Sequence, residues 1–145
     1  MIRNILVVCI GNVCRSPIAE GLLRERLLDI SVTSAGISAL VGEPADISAI
    51  AVAAEAGTDI SAHRAQQLTA VMTSRADLIL VMDDRQKREV IERYPSTFGK
   101  IFRLCEQDRI DVPDPYRRPI SEFRYSLALI QKGVEAWVPR IKALR

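Results

Sequence analysis

Four apolar runs in this chain are too short for stable helices, and helix-length segments separate most of them. They are Asn4–Cys9, Ile30–Ser34, Asp77–Met82 and Ile101–Cys105, and the first, with its Ile and Val residues, suits a strand buried on both faces. Ser16-Pro17 opens the first helix, the serine as cap and the proline at the first helical position, and it runs to about Leu28. After a loop over Ala35–Ala45, Asp46 caps an alanine-rich helix that stops at Gly57. A short helix is expected around Thr69–Ser74 and a charged one over Asp83–Tyr94, ended by Pro95. The loop Glu106–Pro119 leads to a last helix. Along it Phe123, Leu127, Ile130, Val134, Trp137, Ile141 and Leu144 alternate steps of four and three, one apolar face. Strands alternating with helices predict an α/β fold, because right-handed crossovers lay a parallel sheet between helices on both faces. Ligands of such sheets sit beyond the carboxyl ends of the strands. Cys9, Met82 and Cys105 close three of them.

The 145 residues, without repeat, linker or low-complexity tract, read as one domain. Apolar residues at 48% and charged ones at 26% exclude a disordered chain. No apolar run approaches the roughly 18 residues of a spanning helix, so no membrane insertion is expected. Ile5–Ile10 is too short for a signal-peptide core and runs into Gly11, Asn12 and Arg15, so the protein reads as cytoplasmic. Twenty Lys and Arg against 18 Asp and Glu leave no basic excess for nucleic acid. Sixteen of those 20 cations are Arg, which suits oxyanion recognition but follows equally from a high-GC genome. Three cysteines, an odd number, do not make a disulfide framework, and the lone His63 leaves too few soft ligands for structural zinc.

The chemistry concentrates in Cys9-Ile10-Gly11-Asn12-Val13-Cys14-Arg15-Ser16, between the first strand and the first helix. Amides at a helix N-terminus, together with a neighbouring cation, stabilise a thiolate. Five residues between Cys9 and Arg15 let the loop curl with its amides inward, and Gly11 and Asn12 tolerate the left-handed backbone such a curl demands. A ring of N–H donors closed by the Arg15 fork fits a tetrahedral dianion. Cys9 as a merely buried cysteine would leave unexplained why Arg15 stands at a helix start, where a cation opposes the dipole. Phosphoryl transfer from oxygen to sulfur also needs an acid for the leaving oxygen. Asp114, in Asp114-Pro115-Tyr116, is the candidate, with Asp111 as a weaker competitor; an Asp-Pro is equally ordinary turn chemistry. Asp83 and Asp84 fit helix caps better than metal ligands.

Five islands in order resemble the low-molecular-weight protein tyrosine phosphatases over essentially the whole chain. They are Cys9 to Pro17, Thr33-Ser-Ala-Gly36, Asp59-Ile-Ser-Ala-His-Arg64 with Gln67-Leu68, Leu80-Val-Met-Asp83, and Asp114-Pro-Tyr116. Ser38 to Gly42 and Pro113 to Arg117 look most like the bacterial subgroup that partners exopolysaccharide or capsule tyrosine autokinases. The resemblance implies a three-layer phosphatase-I-like fold with a four-stranded parallel sheet in the order 2-1-3-4. It implies that Cys9 attacks phosphorus to give a phosphocysteine, and that Asp114 is acid and then base. Arg15 and the amides of Ile10, Gly11, Asn12, Val13, Cys14 and Arg15 hold the phosphoryl oxygens, and Ser16 donates to the Cys9 sulfur. Asn12 braces the loop with Ser34 and His63, and Leu40 and Tyr116 flank the substrate ring. Cys14 matches a second loop cysteine that in some members pairs reversibly with the nucleophile on oxidation, or is a small packing residue. No metal and no cofactor is needed, because Arg15 and the loop amides supply the positive field. The implied partner is a phosphotyrosine protein, such as the tail of a membrane tyrosine autokinase, and the product is inorganic phosphate.

Two departures bear on selectivity. Tyr116 is followed by Arg117 and Arg118 where many eukaryotic members have a second tyrosine, and the arginine pair either attracts acidic tails or is simply solvated. Leu40 stands where some members have an aromatic residue. Competing functions are a thiol-dependent arsenate reductase, for whose cysteine relay only Cys105 is available, a non-catalytic phosphotyrosine-binding module, and a flavodoxin-like nucleotide binder.

Overall fold

The structure, a computed structural model, describes residues 1–144. Strand β1 (Asn4–Cys9) is the central organiser. It pairs in parallel with β2 (Ser31–Gly36) on one side and with β3 (Leu78–Val81) on the other. Strand β4 (Ile101–Arg103) pairs with β3, giving the expected parallel order β2-β1-β3-β4.

Alternation along β1 divides the core in two. Ile5, Val7 and Cys9 face the larger layer, which holds α1 (Arg15–Arg26), α2 (Ile47–Glu55) and α5 (Ile120–Ala143). Leu6 and Val8 face the smaller one with α3 (Ala70–Arg75) and α4 (Asp84–Arg93). Both faces of the sheet are thus covered, as a parallel sheet requires. The stripe of α5 buries Phe123, Leu127, Ile130, Val134, Trp137 and Ile141, while Leu144, past the helix end, is 58% exposed. Phe123 to Ile141 thus clamp α5 against α1 and α2, forming the wall on which the Asp114 loop rests.

Several boundaries differ from expectation, for local reasons. Strand β2 runs two residues further, because Val8 and Cys9 at the end of β1 still take Ala35 and Gly36 as partners. Gly36 is needed there: a Cβ would stand 2.5 Å from the Ile10 carbonyl oxygen. Strand β4 stops at Arg103, since Leu104 and Cys105 turn inward against Gly133 of α5. Asp46, Thr69 and Asp83 cap α2, α3 and α4, each accepting a backbone N–H two or three residues on.

Helix α1 departs more tellingly. It starts at Arg15 rather than Pro17, its cap position is Cys14, and no side chain caps it. Ser16 cannot serve as the cap because its hydroxyl is turned to the Cys9 sulfur. The first amides of α1 are left for a ligand, directly beyond the carboxyl end of β1.

Candidate active site

The loop from Cys9 to Arg15 is shaped from outside by its own carbonyls. Ile37, Ser38 and Leu40 donate backbone N–H groups to the carbonyls of Cys9, Ile10 and Gly11, each at 3.0 Å. His63 Nε2 donates to the Asn12 carbonyl at 2.7 Å, and the Asp46 amide to that of Val13 at 2.8 Å. In a trans peptide the N–H points opposite to the C=O. Five carbonyls pulled outward therefore turn the amides of Ile10, Gly11, Asn12, Val13 and Cys14 inward, a concave anion cradle.

Asn12 locks this curl. It is fully buried with φ +59°, the left-handed region that asparagine tolerates better than most residues. Its amide nitrogen donates to Ser16 Oγ at 2.8 Å and Ser34 Oγ at 2.9 Å, and its oxygen accepts the Gln66 amide at 2.9 Å. All of its side-chain capacity but one lone pair is committed. Gly11 does not share the left-handed backbone, and a Cβ there would make ordinary contact with Val13 and Leu40 at 3.6 and 3.8 Å. The curl is thus carried by Asn12 alone of the two residues the sequence singled out.

Because Ser16 Oγ accepts from Asn12, its own proton is free for Cys9 Sγ, 2.9 Å away. Ser34 Oγ likewise accepts from Asn12 and donates to Glu20, which is held by Arg24 at 2.9 Å. Ser16, Ser34 and His63 thus converge on the loop, the first two through the Asn12 side chain and the third through its carbonyl.

Arg15 is only 2% exposed. Its Nη1 donates to the Val112 carbonyl at 2.8 Å and lies 3.4 Å from Asp83, while Nη2 lies 3.7 Å from Asp114. One arm of the fork is tethered to the protein and the other is directed toward the Asp114 side of the site. Asp83 thus does more than cap α4; its second role leaves no local signal beyond its place at the end of a buried strand.

Asp114 sits on a loop fixed from both sides. The Val112 amide bonds the Met82 carbonyl at 2.9 Å, Ser126 of α5 donates to the Pro113 carbonyl at 2.9 Å, and Pro115 is buried. Its carboxylate also accepts the Tyr116 amide at 3.1 Å. Asp111, the competitor, is engaged elsewhere, with Arg103 at 3.1 Å and the Asp84 amide at 3.1 Å.

Above the loop lies a cavity of about 150 Å³ to which Cys9, Arg15, Asp114, Leu40 and Tyr116 all contribute. Proteins hold a benzene ring in a cavity of about that size. Ser38 and Val13 also line it, and neither was singled out beforehand as a wall residue. Cys14 is buried, and burial, with Asp46, Cys9 and Asp114 nearby, holds its thiol far above the ordinary cysteine range. It is therefore a neutral thiol beside the nucleophile position. Cys105 lies outside this lining, its thiol donating to the Leu129 carbonyl at 3.2 Å, and burial raises its pKa as well.

Residues 4–145 match the family described as low molecular weight phosphotyrosine protein phosphatase. The chain belongs to that family. As a low molecular weight protein-tyrosine-phosphatase, it is 59% identical over 144 residues to the probable low molecular weight protein-tyrosine-phosphatase EpsP of Ralstonia nicotianae, covering 99% of each chain. The structure of Vibrio vulnificus Wzb in complex with benzylphosphonate superposes with a TM-score of 0.94 at 39% identity, over 97% of this phosphatase and 99% of that chain. The YwlE arginine phosphatase from Geobacillus stearothermophilus is similar too, with a TM-score of 0.91 at 31% identity over 97% of this chain and 94% of that one. No helix among the described residues is long and apolar enough to cross a membrane.

Proposed function

We propose that this phosphatase cleaves phosphotyrosine through a phosphocysteine on Cys9. The thiolate attacks phosphorus, the P–O bond to the aryl group breaks, and Asp114 gives its proton to the departing phenolate oxygen. Arg15 Nη2 and the inward amides carry the charge on the equatorial oxygens. Water then attacks the phosphocysteine, Asp114 takes its proton, and inorganic phosphate leaves as the S–P bond breaks. The observation that carries this reading is Cys9 Sγ at 2.9 Å from a Ser16 hydroxyl whose acceptor side is already occupied, in a cavity that also holds Arg15 and Asp114.

The walls favour an aryl substrate. Leu40, Val13 and Tyr116 offer apolar surface to a ring, whereas a phosphoarginine would bring a polar guanidinium group against them. We infer further that the protein substrate is a bacterial tyrosine autokinase of exopolysaccharide or capsule production, met through its membrane-borne tail at the cytoplasmic side. The relationship to EpsP and Wzb supports this partner. No cofactor or metal enters the scheme. The neutral Cys14 is assigned as the partner that closes a disulfide with Cys9 under oxidation; Cys14→Ala then retains turnover but fails to recover it when a reductant follows peroxide.

The test is hydrolysis in EDTA of an aryl phosphate and of phosphotyrosine, phosphoserine and phosphoarginine peptides. The expected result is turnover of the aryl phosphate and phosphotyrosine peptide, none for Cys9→Ser, and a fall of about 10²-fold or more for Asp114→Ala. Preference for phosphoarginine, or binding of phosphotyrosine without turnover, would overturn the reading.

A further inference from the structure

The turn that follows Asp114 carries a side chain where its backbone asks for none. The Arg118 amide bonds the Pro115 carbonyl at 2.9 Å, and Arg117, the third residue of that turn, has φ +61°. Glycine or asparagine is the ordinary occupant of a turn position with positive φ, because a Cβ is disfavoured there. Arginine stands there instead. Its guanidinium carbon lies 5.2 Å from the centroid of the Tyr116 ring, and Tyr116 is a wall of the active-site cavity.

Among the described residues Arg117 also has no ion-pair partner. Arg88, Arg103 and Arg124 each meet a carboxylate, and among the described residues' ion pairs none includes Arg117 or Arg118. A guanidinium stacked on an aromatic ring keeps its donors free at the edge and has less freedom to lose on binding. Successive Cα atoms of a peptide are about 3.8 Å apart. With the target ring against Tyr116, the stacked guanidinium therefore reaches side chains one or two residues from the phosphotyrosine.

We propose that Arg117 is a specificity-determining residue that binds a second anionic group of the substrate, a carboxylate or phosphate one or two residues from the phosphotyrosine being cleaved. This rests on the phosphotyrosine reading above and names the substrates that reading would favour.

The test uses the full chain and short phosphotyrosine peptides whose flanking residues are alanine, glutamate or a second phosphotyrosine. The readout is the ratio of kcat/KM for the anionic peptide to that for the alanine peptide, so a loss common to all substrates cancels. Arg117→Gly suits the turn and removes the charge; Arg117→Lys keeps the charge; Arg118→Gly is the neighbour control. The expected wild-type ratio is about five to ten, carried by KM and shrinking in high salt. Arg117→Gly brings it to about one, while Arg117→Lys and Arg118→Gly retain most of it. A ratio raised only by the second phosphotyrosine assigns a phosphate; one raised by glutamate as well assigns any anion. A wild-type ratio near one, an unchanged ratio in Arg117→Gly, or loss of the ratio in Arg118→Gly alone would overturn the proposal. Wild type that turns over no phosphotyrosine peptide at all would overturn the phosphotyrosine reading itself.

Discussion

Replacing Asn12 with alanine and with glycine separates its two duties. The alanine variant loses three side-chain hydrogen bonds, to Ser16, Ser34 and the Gln66 amide. At about 1 kcal/mol each, that is about 3 kcal/mol. Alanine at φ +59° lacks the local hydrogen bonding that eases asparagine there, adding about 1 kcal/mol. Glycine loses the same bonds without the conformational penalty. The expected destabilisations are therefore about 4 kcal/mol for Asn12→Ala and about 3 for Asn12→Gly, large beside the roughly 5–15 kcal/mol of a typical fold. For a chain of this length about 3 °C accompanies each kcal/mol, so melting temperatures should fall by about 12 °C and about 9 °C. Thermal denaturation followed by circular dichroism measures both, and aryl phosphate turnover on the same samples should drop in each. An alanine variant at least as stable as the glycine one, or a loss below about 3 °C in either, would refute the claim that this side chain and its backbone hold the loop.

Three further outcomes follow from single contacts. Ser16→Ala removes the hydroxyl facing Cys9, and both the alkylation rate of Cys9 by iodoacetate and kcat should fall by about tenfold, while the lost Asn12 bond lowers the melting temperature by about 3 °C. Gly36→Ala sets a methyl group 2.5 Å from the Ile10 carbonyl oxygen and should cost about 2–3 kcal/mol with most of the activity, read by denaturant unfolding and aryl phosphate assay. Asp77 accepts the Arg3 and Asn4 amides, each at 2.9 Å, and these bonds hold its carboxyl below the usual range. A depressed carboxylate stabilises the fold above its unfolded pKa of about 4, and that contribution is lost as pH falls through the folded value. Unfolding measured from pH 6 down to about 3 should therefore show a shallower acid loss in Asp77→Asn than in wild type.

The sheet could be read from sequence because its strands are short apolar runs and its helices carry caps at Asp46 and Asp83 and a periodic stripe on α5. Boundaries went astray where tertiary partners overrode local pattern. Gly36 looks like a loop residue until the end of β1 demands a partner, and Ser16-Pro17 looks like a helix start until the serine hydroxyl is claimed by Cys9. Cys9, Arg15 and Asp114 were visible because their residue types make chemical sense together. Glu20, Gln66, Asp83 and the Val112 carbonyl were not. Each acts by holding another site residue from a different element, and nothing in their own sequence surroundings records that. The left-handed backbone of Arg117 was equally hidden, since arginine gives no turn signal.

The central claim is that Cys9 becomes covalently phosphorylated during turnover. Rapid acid quench of the enzyme during aryl phosphate hydrolysis, followed by intact mass and peptide mapping, tests it directly. An adduct of one phosphoryl group is expected on the peptide containing Cys9, transient in wild type and absent from Cys9→Ser. Turnover that proceeds with the phosphoryl group on another residue, or that persists undiminished in Cys9→Ser, would contradict it.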